Sequence, residues 1–99
     1  MKDFMFPPKV EVDEDTVELY DGLDEGDIVK RIMETKLLRE KHSIPQYKIA
    51  RRARLNQSTV SRVERLAEVP TAKLMAKYIA AVIAEVEDLP KKGNKNEPK

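Results

Sequence analysis

The chain has 99 residues, 40% of them hydrophobic, with a formal net charge of +1 and no cysteine. This is the length of one ordinary domain with a modest core, and the absence of cysteine excludes disulfide bonds, thiolate nucleophiles and sulfur-rich zinc sites. No apolar run approaches the roughly 20 residues that cross a bilayer, and the N-terminus lacks the pattern of a secretory signal peptide. We therefore expect a cytoplasmic protein without a membrane span.

The near-neutral total hides an uneven distribution of charge along the chain. Residues 1–29 contain ten acidic and two basic residues, a net charge of −8, whereas residues 30–77 contain thirteen basic and four acidic residues, a net charge of +9. A dense basic segment is typical of proteins that bind polyanions, although a charged run also occurs on an ordinary solvated surface. The charge alone therefore leaves nucleic-acid binding and a plain solvated surface about equally favoured.

The first 23 residues are interpreted as an acidic N-terminal arm. The alternation from Lys9 to Val12, which recurs weakly from Thr16 to Tyr20, is typical of a short β-strand or hairpin. The shortness and high charge of this segment are equally typical of an arm that is disordered until it meets a partner. Both alternatives stay open at this point.

From Asp24 onward the pattern becomes helical, and we expect an all-α domain of four to five helices over residues 24–89. The predicted helices run from Asp24 to Lys41, from Pro45 to Ala53, from Gln57 to about Leu66, and over residues 71–88 as an extended last helix. Proline suits the first position of a helix, and Asn56 is the expected N-cap of the third one. Apart from two prolines, residues 90–99 contain no apolar side chain, and they are predicted to be a disordered tail.

The second and third predicted helices have the composition of a helix-turn-helix over about residues 46–65. A three-residue connection joins them, and Ala50 is small enough for the two helices to cross closely. Four polar side chains of the third helix are expected to point outward: Gln57, Ser58, Ser61 and Arg62. Glutamine can pair with adenine, arginine with guanine and serine with either, so these side chains can read base edges, although a polar first turn needs no such role.

The segment from Gln57 to Arg65 (QSTVSRVER) resembles the Cro and lambda-repressor-like helix-turn-helix proteins, also called the Xre family. Gln46 and Ala50 precede it at the family's spacing, Pro70 follows it, and the resemblance covers roughly residues 28–82. It implies a lambda-repressor-like domain that binds double-stranded DNA through the major groove. The implied function is transcription regulation, as a repressor or autoregulator.

The resemblance also implies roles for individual residues. Gln57, Ser58, Ser61 and Arg62 fall at base-reading positions, and Gln46, Asn56 and Thr59 fall at or beside positions that contact the DNA backbone. Lys48, Arg54 and Lys73 are further backbone candidates, because they flank the reading helix in this arrangement. Glu64 matches an acid that pairs with an arginine of the first helix, here Arg39, in a structural ion pair.

Four positions depart from the family's pattern, and one of them is Thr35, where the first helix usually has an aliphatic residue. Arg54 and Leu66 stand where the family usually has glycine, and Pro45 replaces a serine or threonine that caps the second helix. Either Arg54 adopts the left-handed conformation, at a cost of roughly 1–2 kcal/mol, or the turn differs from that of the family.

The last predicted helix carries more apolar surface than one side of so small a core can cover. Ile79, Ile83 and Val86 are candidates for a two-fold homodimer contact, the alternative being that they complete the core of the monomer. A dimer would place two reading helices about 34 Å apart and would predict a palindromic DNA site.

Enzyme activity, cofactors and metal sites are not expected. The chain shows no nucleophile-and-base set and no glycine-rich phosphate loop, and its single histidine, His42, has no cysteine or grouped acids beside it. The alternative function assigns the main role to the acidic arm, as in antitoxins of the same fold. The arm would then bind a protein partner, and DNA binding would serve autoregulation.

Overall fold

The computed structural model describes Val12 and residues 14–89, and this part of the chain is all-helical. Its helices are α1 (Glu14–Asp21), α2 (Glu25–Lys41), α3 (Gln46–Ala53), α4 (Gln57–Glu64) and α5 (Ala72–Glu87). The all-α prediction is confirmed, and α2 to α5 begin and end within two residues of the predicted positions. No helix in the described ranges is long and apolar enough to span a membrane.

The N-terminal arm differs from the prediction. Residues 14–21 form the helix α1, so neither alternative left open for this stretch, a short strand or a disordered arm, describes it. Glu14 and Asp15 lie in the first turn, where carboxylates interact favourably with the helix dipole, and this outweighs the weak alternation of apolar residues. The alternation from Lys9 to Glu11 and the predicted tail of residues 90–99 lie outside the described residues.

Local signals explain where several helices begin and end. The carboxylate of Asp24 accepts a hydrogen bond from the backbone N–H of Asp27 at 2.9 Å, and the hydroxyl of Thr71 accepts one from Leu74 at 3.1 Å. These are N-caps of α2 and α5, and each satisfies a backbone donor that the helix leaves free. Arg54 ends α3 in the left-handed conformation, with φ 59° and ψ 47°, which settles the question raised by the missing glycine.

Helix α5 lies at the centre of the packing, because α1, α2 and α3 all contact it. Its side chains Met75, Tyr78 and Val82 are fully buried, together with Ile32 of α2 and Ile49 of α3. One core therefore joins α2, α3 and α5.

The central position of α5 bears on the predicted dimer contact. Ile79 is only 8% exposed and belongs to the core, and Val86 is partly buried against that core. Ile83 is 43% exposed. Ile79 therefore completes the core of the monomer, as the alternative had it, and Ile83 is the residue of this set with a free surface.

Helix α1 packs along α5, although none of its side chains is fully buried in the part of the chain that the structure describes. Tyr20 at its end and Leu23 after it contact the core, and the guanidinium carbon of Arg31 lies 5.8 Å from the centroid of the Tyr20 ring, in a cation–π contact. From Glu14 onward, the acidic arm is thus part of the same packed body as α2 to α5.

Candidate functional site

Helices α3 and α4 pack against each other across a three-residue connection, Arg54 to Asn56. The backbone N–H of Leu55 donates to the carbonyl oxygen of Ala50 at 2.8 Å, which closes the end of α3 as the chain reverses. Ala50 is buried at the crossing, and Val60 and Val63 of α4 are buried in the core. One side of α4 is therefore fixed, and its opposite side faces solvent.

The structure brings the four predicted base-reading residues together on that outer side of α4. Gln57 and Ser58 are exposed in the first turn, Ser61 is half-buried, and the side chain of Arg62 is 54% exposed. Residues four apart on a helix lie above one another, so Gln57 aligns with Ser61, and Ser58 with Arg62. Together they form a polar surface, called here the α4 face.

The predicted backbone-contacting residues fall into two groups. Lys48 on α3, Arg54 and Asn56 in the connection, and Lys73 on α5 are exposed. Thr59 and Gln46 are half-buried, and Nε2 of Gln46 donates to Oε1 of Glu64 at 2.9 Å. The first group is free to contact a ligand, whereas one end of Gln46 is bound within the protein.

Asn56 corrects one expectation. It stands at the N-cap position of α4 with extended backbone, but its side chain makes no capping hydrogen bond to the described residues. The expected cap is therefore not formed.

A buried polar cluster fixes the C-terminal end of α4. Arg39 of α2 donates to both carboxylate oxygens of Glu64, from Nε at 2.6 Å and from Nη2 at 2.8 Å, and the hydroxyl of Tyr78 donates to Oε2 at 2.7 Å. With the bond from Gln46, we call these four residues the Glu64 cluster. The ion pair expected between Arg39 and Glu64 is present, and the cluster links α2, α3, α4 and α5.

The Glu64 cluster also fixes the protonation states of its members. Burial by itself would raise the pKa of Glu64, but the hydrogen bonds from Arg39, Tyr78 and Gln46 outweigh burial and hold this pKa below its ordinary value. Burial and the bond to the Glu64 carboxylate both raise the pKa of Tyr78. The carboxylate therefore stays ionised and the phenol stays protonated at neutral pH, which suits a structural role.

Arg52 forms a second ion pair that the sequence did not indicate. Its buried side chain donates from Nε to Oε2 of Glu85 at 2.7 Å and from Nη2 to Oδ2 of Asp88 at 2.6 Å, and so links α3 to the end of α5. Because its partners lie 33 and 36 residues away, no local spacing could have revealed the pair. Arg52 is thus not available to contact a phosphate.

Arg62 on the α4 face has a partner of its own. Its Nη2 donates to Oε2 of Glu68 at 2.9 Å, in the segment between α4 and α5. Both side chains are largely exposed, and the contact lies at the edge of the α4 face. Glu68 is a residue that we did not single out from the sequence.

The described residues contain no group of three or more histidine, cysteine, aspartate or glutamate side chains that could hold a metal ion. No family model matches the chain, and neither the curated proteins nor the solved structures include a match.

Proposed function

We propose that the chain is a sequence-specific DNA-binding regulator in which α3 and α4 act as a lambda-repressor-like helix-turn-helix. The observation that carries this proposal is the division of α4 into two sides. Val60, Val63 and Glu64 are buried, whereas Gln57, Ser58 and Arg62 are exposed on the α4 face. An α-helix fits the major groove of B-DNA, and these exposed side chains are of the types that hydrogen-bond base edges there.

The anchoring of α4 supports this role. A residue that reads bases must be held within a fraction of an ångström of its productive position, which requires a rigid supporting element. Val60 and Val63 fix α4 to the core along its length, and the Glu64 cluster fixes its C-terminal end to three other helices. A helix held in this way loses little conformational freedom on binding, so more of the contact energy contributes to affinity.

The exposed basic side chains on α3, in the connection and on α5 suit a polyanion. Lys48, Arg54 and Lys73 are exposed, on α3, in the connection and near the start of α5. In the proposed complex they contact phosphates and set the register of the protein on the duplex, whereas the α4 face reads the sequence. Binding over a promoter would block transcription, as a repressor or autoregulator does.

The proposal is tested with Gln57→Ala and Arg62→Ala, using a DNA site selected by the wild-type protein. Each substitution should weaken binding by about 1–3 kcal/mol, roughly 5-fold to 150-fold in Kd, because each removes one bidentate base contact. Lys30→Ala is the control, because it also removes one exposed charge. On α2, the hydrogen bonds to α4 are made by Arg39, and Lys30 lies nine residues before it, about 13 Å along the helix. Unchanged affinity in both α4 variants would show that the reading face is misassigned.

A homodimer is part of the proposal, with Ile83 as its contact. Ile83 is a large apolar side chain with 43% of its surface exposed on the central helix. A two-fold dimer through α5 would place two α4 helices about one turn of duplex apart, and the DNA site would be palindromic. Sedimentation of wild type and Ile83→Lys tests this, since only the wild type should form a dimer; a wild-type monomer both free and on DNA would exclude it.

The second candidate function is that of an antitoxin or other module that binds a protein partner through the acidic arm. The observation in its favour is the outer surface of α1, where Leu19 is exposed among Glu14, Asp15 and Glu18. Such a surface suits a basic partner with an apolar pocket. Deleting residues 1–22 would uncover α5, so Leu19→Ser with Glu18→Lys is the better test: DNA binding should persist while capture of a protein encoded beside this gene is lost. Capture that persists in this variant would exclude the α1 surface.

A further inference from the structure

Glu68 is held beside Arg62 by the backbone that follows α4. Leu66 adopts the left-handed conformation, with φ 56°, and turns the chain back along the helix. The backbone N–H of Ala67 then donates to the carbonyl oxygen of Arg62 at 3.1 Å, and that of Leu66 donates to Val63 at 3.0 Å. These bonds close the C-terminus of α4 and fix the next residue, Glu68, next to the Arg62 side chain.

Both residues of the pair line a cavity of about 130 Å³ between α4 and the start of α5. Val63, Pro70 and Leu74 provide apolar wall, and Thr59 adds a polar group on the side of α4. The guanidinium uses one of its N–H groups on Glu68, at 2.9 Å, and has four more donors. It can therefore keep this bond and still present two parallel donors to a guanine.

An arginine without this partner would behave differently on DNA. Its long side chain has many rotamers, and the phosphates on both sides of the groove attract its charge regardless of the base sequence. A carboxylate fixed at the edge of the α4 face limits those rotamers and repels phosphate oxygens. The two effects both favour the base edge over the backbone as the target of Arg62.

We infer that Glu68 is a positioning residue for base specificity, which holds the Arg62 guanidinium toward the base edges and away from the phosphates. This inference rests on the proposed DNA-binding function and names a residue that controls it. Glu68 itself makes no base contact in this arrangement, and its effect is exerted through Arg62.

The experiment compares the Kd for the selected site with the Kd for an unrelated duplex of the same length, in the full chain. Glu68→Gln should lower the specificity ratio, the Kd for the unrelated duplex divided by the Kd for the selected site, by about twofold to fivefold. This is the range of an exposed ion pair, and the change should come mainly from tighter binding to the unrelated duplex. The slope of affinity against salt for the unrelated duplex should steepen, because the released arginine contacts one more phosphate. Thermal unfolding should be unchanged, since both side chains are largely exposed.

Two control variants separate positioning from a plain change of charge. Glu87→Gln removes one exposed acid at the end of α5, and it should leave the ratio unchanged. In an Arg62→Ala background, Glu68→Gln should no longer alter the ratio. If the ratio for Glu68→Gln equals that of the wild type or that of Glu87→Gln, the inference about Glu68 is overturned and the proposed function is not. A wild-type protein that does not distinguish any selected duplex from an unrelated one would overturn the proposed function as well.

Discussion

Glu64 illustrates how one residue organises this molecule. A carboxylate has about four lone-pair sites, and Glu64 accepts four hydrogen bonds, two from Arg39 and one each from Gln46 and Tyr78. Its side chain is only 2% exposed, so water cannot replace a lost donor. The position therefore requires an ionised carboxylate.

Replacing Glu64 with glutamine should destabilise the protein by about 3–5 kcal/mol in urea unfolding, because the substitution removes the buried carboxylate that pairs with the largely buried guanidinium of Arg39. The amide NH2 of the new side chain would also face donors. Glu40→Gln is the matched control, since Glu40 lies 3.8 Å from Arg39 and is 49% exposed. That variant should stay within about 0.5 kcal/mol of the wild type. Similar losses in both variants would contradict the structural role of the Glu64 cluster.

The same residue predicts a dependence of stability on pH. The pKa of Glu64 is lower in the folded protein than its ordinary value, so the carboxylate contributes stability that is present above the unfolded-state pKa, about 4.3. This contribution should be lost as the pH falls below about 4 and toward the folded-state pKa. The free energy of unfolding, measured in urea, should therefore fall more steeply from pH 7 to pH 3 for wild type than for Glu64→Gln. Parallel profiles would show that Glu64 does not have a lowered pKa.

At the scale of elements, the connection between α3 and α4 carries a local strain. Arg54 has φ 59°, a conformation that costs a residue with a side chain roughly 1–2 kcal/mol. The proposed use of this residue as a phosphate contact gives a reason for an arginine where a glycine would fit the backbone better.

Arg54→Gly should thus separate stability from binding. Relief of the strain, less the roughly 0.5–1 kcal/mol of extra chain entropy that glycine brings to the unfolded state, should raise the free energy of unfolding by up to about 1.5 kcal/mol. DNA affinity should decrease, because one cation is lost. Arg54→Lys keeps both the charge and the strain and should leave both quantities near the wild type. An Arg54→Gly protein less stable than Arg54→Lys would refute this.

The elements differ in how far the sequence could predict them. The starts of α2 and α5 depend on the capping residues Asp24 and Thr71, which act within three residues of their position. The apolar residues of these two helices also recur at regular helical spacing. Helix α1 was missed because its few apolar residues alternate weakly, and its position depends on packing against α5. The pair of Arg52 with Glu85 depends on the path of the chain in three dimensions, which no local pattern records. The pair of Arg62 with Glu68 depends on the left-handed turn at Leu66, a residue type that does not favour that conformation.

At the scale of the whole molecule, ion pairs within the protein reduce the basic charge that is available to the proposed DNA partner. The basic segment has thirteen lysines and arginines. Arg39 and Arg52 are bound to buried carboxylates, and Arg62 is shared with Glu68. The charge counted along the sequence thus overstates the number of basic side chains that can contact phosphates.

The salt dependence of DNA binding should reflect this reduced set. Lys48→Gln and Lys73→Gln should each lower the slope of log affinity against log salt by about 0.9, the value for one phosphate contact, on any duplex. Lys30→Gln on α2 should leave the slope unchanged. Equal slopes for all three variants and the wild type would remove Lys48 and Lys73 from the DNA backbone contacts.

Selection of bound sites from random duplex DNA, with wild type and Arg62→Ala in parallel, tests the DNA-reading role proposed for α4 most directly. The wild type should enrich a defined motif with a guanine at one position of each half-site. Arg62→Ala should enrich the same motif with that position relaxed, because the arginine that pairs with guanine is absent. A wild-type selection without any enriched motif, or one whose motif is unchanged by Arg62→Ala, would contradict the role assigned to the α4 face.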